Sequence, residues 1–214
     1  MVLVLRWIGV LLLSILVIVV PWVYFRWEYT YAKRLRIVTP GVLYRSGEMT
    51  AAGFREAVKL YHLRSIINLQ DEYPDPELYL AYFTTKRVRE SELCRQLDVR
   101  YVYIPPDLLP RRELDTHQPK AIDQFLSVMD DKTNWPVLIH CRAGLHRTGI
   151  MTSLYRMEYE GWTRAQAIDE LKANGFGEWP CTASNVYIDQ YILRYRPRKQ
   201  LSVVGCQTDL TNHK

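Results

Sequence analysis

An α/β domain with a central, mostly parallel sheet flanked by helices, preceded by one N-terminal transmembrane helix, is the architecture that this 214-residue chain predicts. Three observations carry that expectation. Short runs rich in Val and Ile alternate with longer segments of helical periodicity, the pattern of a sheet covered on both faces. An uncharged apolar stretch opens the chain. The roughly 180 residues after it are enough for one hydrophobic core and too few for two.

The first element is the apolar run. From Trp7 to Phe25, 19 residues carry no charge and 13 of them are Leu, Ile, Val or Phe. As a helix rising about 1.5 Å per residue they span roughly 28 Å, close to the hydrocarbon thickness of a bilayer. A cleaved signal peptide is the alternative, but the run exceeds an ordinary h-region and Pro21 to Phe25 offer no small-residue cleavage site. Trp22, Tyr24, Trp27, Tyr29 and Tyr31 read as an interfacial aromatic belt. Only Arg6 precedes the run, whereas Arg26, Lys33, Arg34 and Arg36 follow it, so the positive-inside tendency places the rest of the chain in the cytoplasm.

The remaining elements follow in order. R-I-V-T-P-G-V-L-Y-R (36–45) reads as two short strands around a Pro-Gly turn, Thr50 caps a helix reaching about His62, and R-S-I-I-N-L (64–69) is a strand. A Pro-containing acidic loop from Asp71 to Pro76 leads into a helix ending near Leu97, and V-R-Y-V-Y-I (99–104) is the next strand. A helix over about 119–130 and a strand at 136–140 precede another helix. Thr163 with Gln166 forms a capping box, Asn174 and Gly175 end that helix, and a last one runs from about Ser184 to Arg194.

Residues 136–149, P-V-L-I-H-C-R-A-G-L-H-R-T-G, carry the chemistry. The buried run Val137 to Ile139 delivers His140 and Cys141 into a turn that ends at Arg147 and opens a helix. A loop of C-x5-R spacing that curls around a tetrahedral anion sets the sulfur beneath it and closes a planar guanidinium on two of its oxygens. The backbone N–H groups from Arg142 through Ala143, Gly144, Leu145 and His146 can converge as a nest, reinforced by the positive end of the following helix dipole. Gly144 permits the sharp turn. The field that binds a dianion also favours a thiolate on Cys141, His140 supports the loop, and Thr148 can offer its hydroxyl to the departing sulfur. The expected reaction is displacement at phosphorus through a phosphocysteine.

H-C-x-x-G-x-x-R-T-G resembles the signature of the cysteine-dependent protein tyrosine phosphatase superfamily, in its dual-specificity-like branch. V-L-Y-R-S-G-E (42–48) and I-I-N-L-Q-D-E (66–72) are similar to early segments of compact members, so the resemblance covers roughly residues 37–195. It implies a general acid on a loop a few tens of residues before the nucleophile. P-P-D-L-L-P-R-R-E-L-D (105–115) places Asp107 34 residues before Cys141, and Asp107 is the expected acid, with Asp115, Asp71 and Glu72 as competitors. A helix-capping or solvated carboxylate is the bland reading of each. The resemblance also suggests that Asn185 helps position the hydrolytic water, although an ordinary N-terminal cap accounts for it too. Arg45 can brace the loop.

The expected organisation is 1–32 as anchor and juxtamembrane segment, 33–197 as the catalytic domain on the cytoplasmic side, and 198–214 as a polar tail. Neither cofactor nor metal is expected, since the five His show no ligand spacing. Cys94, Cys141, Cys181 and Cys206 form no C-x-x-C pair; Cys94 and Cys181 are better read as inert than as resolving thiols. A net charge of +5 suits an anionic membrane surface or phosphorylated substrate, and no nucleic-acid motif is present. Arg142 and His146 surround Gly144 with positive potential, as in relatives acting on phosphoinositides or inositol phosphates, but Leu145 stands where those tend to carry Lys. The expected partners are therefore the lipid bilayer and a phosphorylated protein, with a phospholipid or inositol phosphate second. A phosphate-binding module without turnover is the alternative from another class.

Overall fold

The computed structural model describes residues 2–28, 32–81, 84–177 and 184–198. Tyr29, Tyr31, Cys181, Cys206, the tail from 199 and the side chain of Asn185 lie outside the described residues.

At the N-terminus, α1 (Val2–Ser14) and α2 (Val20–Trp27) run together through a π-helical stretch (Ile15–Val19). Pro21 stands in the first turn of α2, where the missing N–H and the clash of its ring with a carbonyl one turn earlier favour a widened turn. The 22 residues from Arg6 to Trp27 are long and apolar enough to cross a membrane, and none of that apolar window is buried against the protein.

The globular part is built on a five-stranded sheet. β1 (Arg36–Thr39) pairs antiparallel with β2 (Leu43–Gly47) across the Pro-Gly turn, as the sequence predicts. α3 (Ala51–Tyr61) starts at Thr50, whose hydroxyl accepts from Gly53 N at 3.2 Å, and β3 (Ser65–Asn68) follows. The helix expected to end near Leu97 is α4 (Glu90–Gln96), and before it β4 (Glu77–Tyr79) and β5 (Arg87–Arg89) form a hairpin that the sequence pattern does not announce. Pro74 and Pro76 oppose helix there, and the buried Leu78 between exposed Glu77 and Tyr79 has the period of a strand. β6 (Arg100–Tyr103), α5 (Lys120–Asp130), β7 (Val137–Cys141), α6 (His146–Tyr159), α7 (Arg164–Ala173) and α8 (Ser184–Ile188) complete the domain, α8 continuing as a π-helical stretch (Asp189–Leu193).

Strand order is β1-β2-β7-β3-β6, parallel except at the β1 edge. The pleat sorts side chains between two cores. Val137, Ile139, Cys141, Leu43 and Ile67 face the core containing Ile122, Phe125, Ile150 and Leu154 of α5 and α6. Leu138, Tyr44 and Ile66 face Phe54, Ala57 and Leu93 of α3 and α4 on the other side. Strands covered on both faces read as continuous apolar runs, which is why they were legible. Each fully buried Leu, Ile or Phe contributes about 1.5–3 kcal/mol of burial free energy.

The Thr163–Gln166 capping box at α7 is present, with the Thr163 hydroxyl accepting from Gln166 N and Gln166 Oε1 accepting from Thr163 N. Replacing Thr163 by Ala is expected to cost about 1 kcal/mol and to lower the circular-dichroism melting midpoint by roughly 2–4 °C, with Thr163→Ser close to wild type.

Candidate active site

The parallel register brings strand ends to one edge. Gly47 of β2 is level with Cys141, and Asn68 of β3 is level with both His140 and Tyr103. The loops that leave those ends surround Cys141, the position where open α/β sheets bind ligands.

Three bonds shape the loop between Cys141 and α6. The carbonyl of Arg142 accepts from Glu48 N (3.3 Å), that of Ala143 from Arg34 Nη1 (2.9 Å) and that of Gly144 from the buried Arg45 Nη2 (3.0 Å). In a planar trans peptide an outward carbonyl turns the next N–H the opposite way, so the N–H groups of 143, 144 and 145 face the inside of the loop. Gly144 is in the left-handed region (φ +72), and a Cβ there would come within 2.5 Å of Gly47 N and 2.7 Å of the Ser46 carbonyl carbon. Both its conformation and its contact with β2 therefore require glycine. Cys141 is 5% exposed, at the floor of this cradle.

His140, pointing to the opposite face of β7, is completely buried. Its Nε2 donates to Glu90 Oε1 at 2.7 Å and its ring meets Phe54 edge-on at 5.2 Å. Glu90, at the start of α4 and also fully buried, thus fixes the imidazole ring and the tautomer. Thr148 is buried, its hydroxyl 3.5 Å from the Ser46 carbonyl.

Arg147 is held from in front. Glu72 accepts from both Nη1 (2.8 Å) and Nη2 (2.7 Å), and Asp71 Oδ1 lies 2.7 Å from Nη1. Two carboxylates on one guanidinium divide unequally. Hydrogen bonds from Arg147 and then Asp71 hold the Glu72 carboxyl down at about 2, whereas burial and the adjacent Glu72 push Asp71 up.

The other expected site residues lie as follows. Asp107 uses its carboxylate as a cap: Oδ2 accepts from Lys120 N (3.2 Å), Oδ1 from Ala121 N (3.1 Å) and from Tyr191 Oη (3.2 Å). Asp115 pairs with Arg194 at 3.1 Å on the surface. Arg142 and Ala143 are exposed at the rim, while Leu145 is buried at the start of α6. His146 departs from the expected positive potential: burial, and then Arg147 beside it, lower its pKa below the ordinary histidine value, so it is neutral at pH 7, its ring edge-on to Phe176 at 4.9 Å. Cys94 lies in the α4 core with its thiol pushed by burial to about 12, too high for a resolving thiolate.

Sequence reasoning did not find Glu90 or the Arg34 contact. Glu90 sits in a stretch dense in Arg and Glu that reads as solvated, and only the fold reveals its burial. Arg45 was legible as a brace in Y-R-S-G, and its role rests on the Gly144 carbonyl; burial, with Arg36 nearby, lowers its pKa to about 10, still cationic at neutral pH.

A carboxyl with a depressed native pKa contributes stability above its unfolded pKa of about 4.3 and loses it as pH falls toward the native value. The melting-midpoint difference between wild type and Glu72→Gln is therefore expected to be constant above about pH 5.5 and to close between about pH 4.3 and pH 2; a difference independent of pH would show that the Glu72 contact with Arg147 is not ionic.

Residues 33–194 match the tyrosine phosphatase family. The chain is 31% identical over 137 residues to inositol diphosphatase DSP3 of Arabidopsis thaliana, covering 64% of this chain and 60% of that protein. It is 36% identical over 70 residues to dual specificity protein phosphatase TpbA of Pseudomonas aeruginosa, 30% of this chain and 32% of that one. The chain thus spans under two thirds of the length of either relative. In fold it resembles the core catalytic domain of PP-IP phosphatase SIW14 from S. cerevisiae, with a TM-score of 0.54 over 81% of this chain and 92% of that one at 17% identity. With a parallel sheet that ends in a cysteine, an anion-shaped loop and an arginine, the chain belongs to the tyrosine phosphatase family.

Proposed function

We propose that the protein is a membrane-anchored, cysteine-dependent phosphatase that hydrolyses phosphate monoesters on proteins through a phosphocysteine. The observation that carries this is the turning of three consecutive loop carbonyls away from Cys141, which aims N–H groups at a tetrahedral anion above the sulfur. The Cys141 thiolate attacks phosphorus, an S–P bond forms and the P–O ester bond breaks. Arg147 and the loop N–H groups stabilise the equatorial oxygens, and a carboxylic acid protonates the leaving oxygen. Water then attacks phosphorus, gives its proton to the same carboxylate, and phosphate leaves with regeneration of the thiolate.

For the acid, Asp71 is better placed than Asp107. Asp71 touches Arg147 and is shifted toward its protonated form by burial and Glu72, whereas the Asp107 oxygens are occupied at the start of α5. Asp71→Asn is expected to reduce kcat on an alkyl phosphate by roughly 10²-fold or more, and far less on an aryl phosphate with a good leaving group. Asp107→Asn is expected to lower the melting midpoint with little selective effect on the alkyl substrate. The reverse pattern returns the acid role to Asp107.

Phosphoprotein is favoured over a free polyphosphate by what flanks the cradle. His146 is neutral and Leu145 buried, and the adjoining cleft mixes Arg87, Arg89 and Arg142 with Asp75, Glu77 and Tyr79. Such a wall suits a peptide better than a cluster of phosphates. The similarity to DSP3 supports inositol phosphates as the second reading. Anchoring is supported by the exposed 22-residue apolar helix, and a cytoplasmic active site by Arg26, Lys33, Arg34 and Arg36 after it. On the full-length protein, Cys141→Ser is expected to abolish hydrolysis of phosphopeptides and to trap them. In a panel of phosphotyrosine and phosphothreonine peptides, phosphoinositides and inositol phosphates, a higher kcat/KM for an inositol phosphate would reverse the substrate order, and turnover of none would refute the enzyme.

A further inference from the structure

We propose that Lys33, delivered by the segment joining the apolar helix to β1, is a further cationic residue of the phosphate site, its ammonium lying beside Cys141 and favouring both the thiolate and a bound dianion. This rests on the reading of Cys141 as the nucleophile of the cradle. The Lys33 carbonyl accepts from Gly47 N at 2.7 Å, and Gly47 is the strand partner of Cys141. The lysine stem lies over that glycine: a Cβ on Gly47 would come within 2.8 Å of Lys33 Cγ and 3.0 Å of the Ala143 carbonyl carbon. The glycine therefore leaves the space through which the side chain reaches the cradle.

Two consecutive non-glycine residues, Lys33 (φ 34) and Arg34 (φ 61), adopt left-handed backbone there. Such conformations persist where surrounding bonds enforce them, and they concentrate at functional sites. Here the enforcing bonds are Gly47 N to Lys33 O and Arg34 Nη1 to Ala143 O, both on the cradle. Burial lowers the Lys33 pKa below the ordinary lysine value; of the charges around it Glu48 raises it, Arg142 lowers it, Cys141 raises it and Arg34 lowers it, so Lys33 and Cys141 act on one another's charge. Lys33, Arg45 of β2 and Arg147 of α6 each feel the charge of Cys141. Arg45 and Arg147 are committed by hydrogen bonds to Gly144 O and to Glu72. Glu48 accepts from Gln70 Nε2 at 2.8 Å.

The test needs no turnover. In full-length protein in detergent micelles, the pH dependence of Cys141 alkylation by iodoacetamide is followed by mass spectrometry of its peptide, and orthovanadate affinity by protection from alkylation. Lys33→Met is expected to raise the alkylation midpoint by roughly half to one pH unit and to weaken orthovanadate about 5- to 20-fold, with Lys33→Arg near wild type in both. Should Lys33→Met fail to fold, Lys33→Gln is read in its place. Wild-type midpoint and orthovanadate affinity in the neutral variant, or a Lys33→Arg protein as impaired as Lys33→Met, would overturn the assignment, the latter by showing that stem packing matters and charge does not. If wild-type Cys141 alkylates and is protected by orthovanadate in the expected way while no phosphoester is hydrolysed, the phosphatase reading fails and the Lys33 assignment stands.

Discussion

Three adjacent carbonyls, those of Arg142, Ala143 and Gly144, are turned outward by donors from three different places: the Glu48 amide after β2, the Arg34 guanidinium before β1 and the Arg45 guanidinium within β2. Everything in the site depends on that arrangement. An isolated six-residue loop has no reason to aim its N–H groups at one point, since they gain by hydrogen-bonding to water in any direction. The donors remove that freedom before a ligand arrives, so binding does not have to order the loop. The arrangement in turn requires β2 and β7 to pair in one register, because a slip of one residue would turn Arg45 to the opposite face of the sheet and lift Gly47 away from Gly144. The fully buried Leu43, Leu138 and Ile139 hold that register.

Charge around the cradle is arranged in opposition. Arg45 and Arg147 act on Cys141 from two elements, yet Arg147 is itself clasped by Asp71 and Glu72. The carboxylates fix a long side chain that would otherwise lose rotamer entropy on binding. They also repel an incoming dianion. The pair titrates unequally, Asp71 pushed up and Glu72 held down, and a phosphate arriving beside Asp71 would raise its proton affinity further; with Asp71 as the acid, as proposed, binding and acid readiness are linked through the same charge.

Much of this was legible in the sequence, and what was missed shares a cause. The strands at 36–47, 65–68, 100–103 and 137–141, the Thr50 and Thr163 caps and the Cys141–Arg147 loop are local patterns, each set by residues within a few positions of one another. The β4–β5 hairpin is not legible in the sequence because its strands have three residues each, too short for period two to declare itself against a charged background. Glu90 meeting His140 across 50 positions and Arg34 reaching Ala143 across 109 positions are products of the fold. A surface-type residue gives no signal of burial until its partner is placed beside it. His146 shows the same limit, since its neutrality follows from burial and from Arg147.

The strap at 32–35 also bears on which substrates can reach the site. α2 ends at Trp27 and the Lys33 carbonyl is bonded to Gly47 beside the cradle. Six residue steps of at most about 3.6 Å bridge the two, so the chain between them reaches no more than roughly 22 Å. With the apolar helix in a bilayer, as proposed, the phosphate site is confined to a shell about as thick as a small domain above the headgroups. Phosphorylated residues a short way outside a membrane, on membrane proteins or on proteins recruited to the surface, fall inside that shell. Phosphoesters in the bulk solution meet the site only by diffusion to it. The mixed charge of the cleft beside Arg142 then acts where an anionic membrane surface already concentrates basic segments.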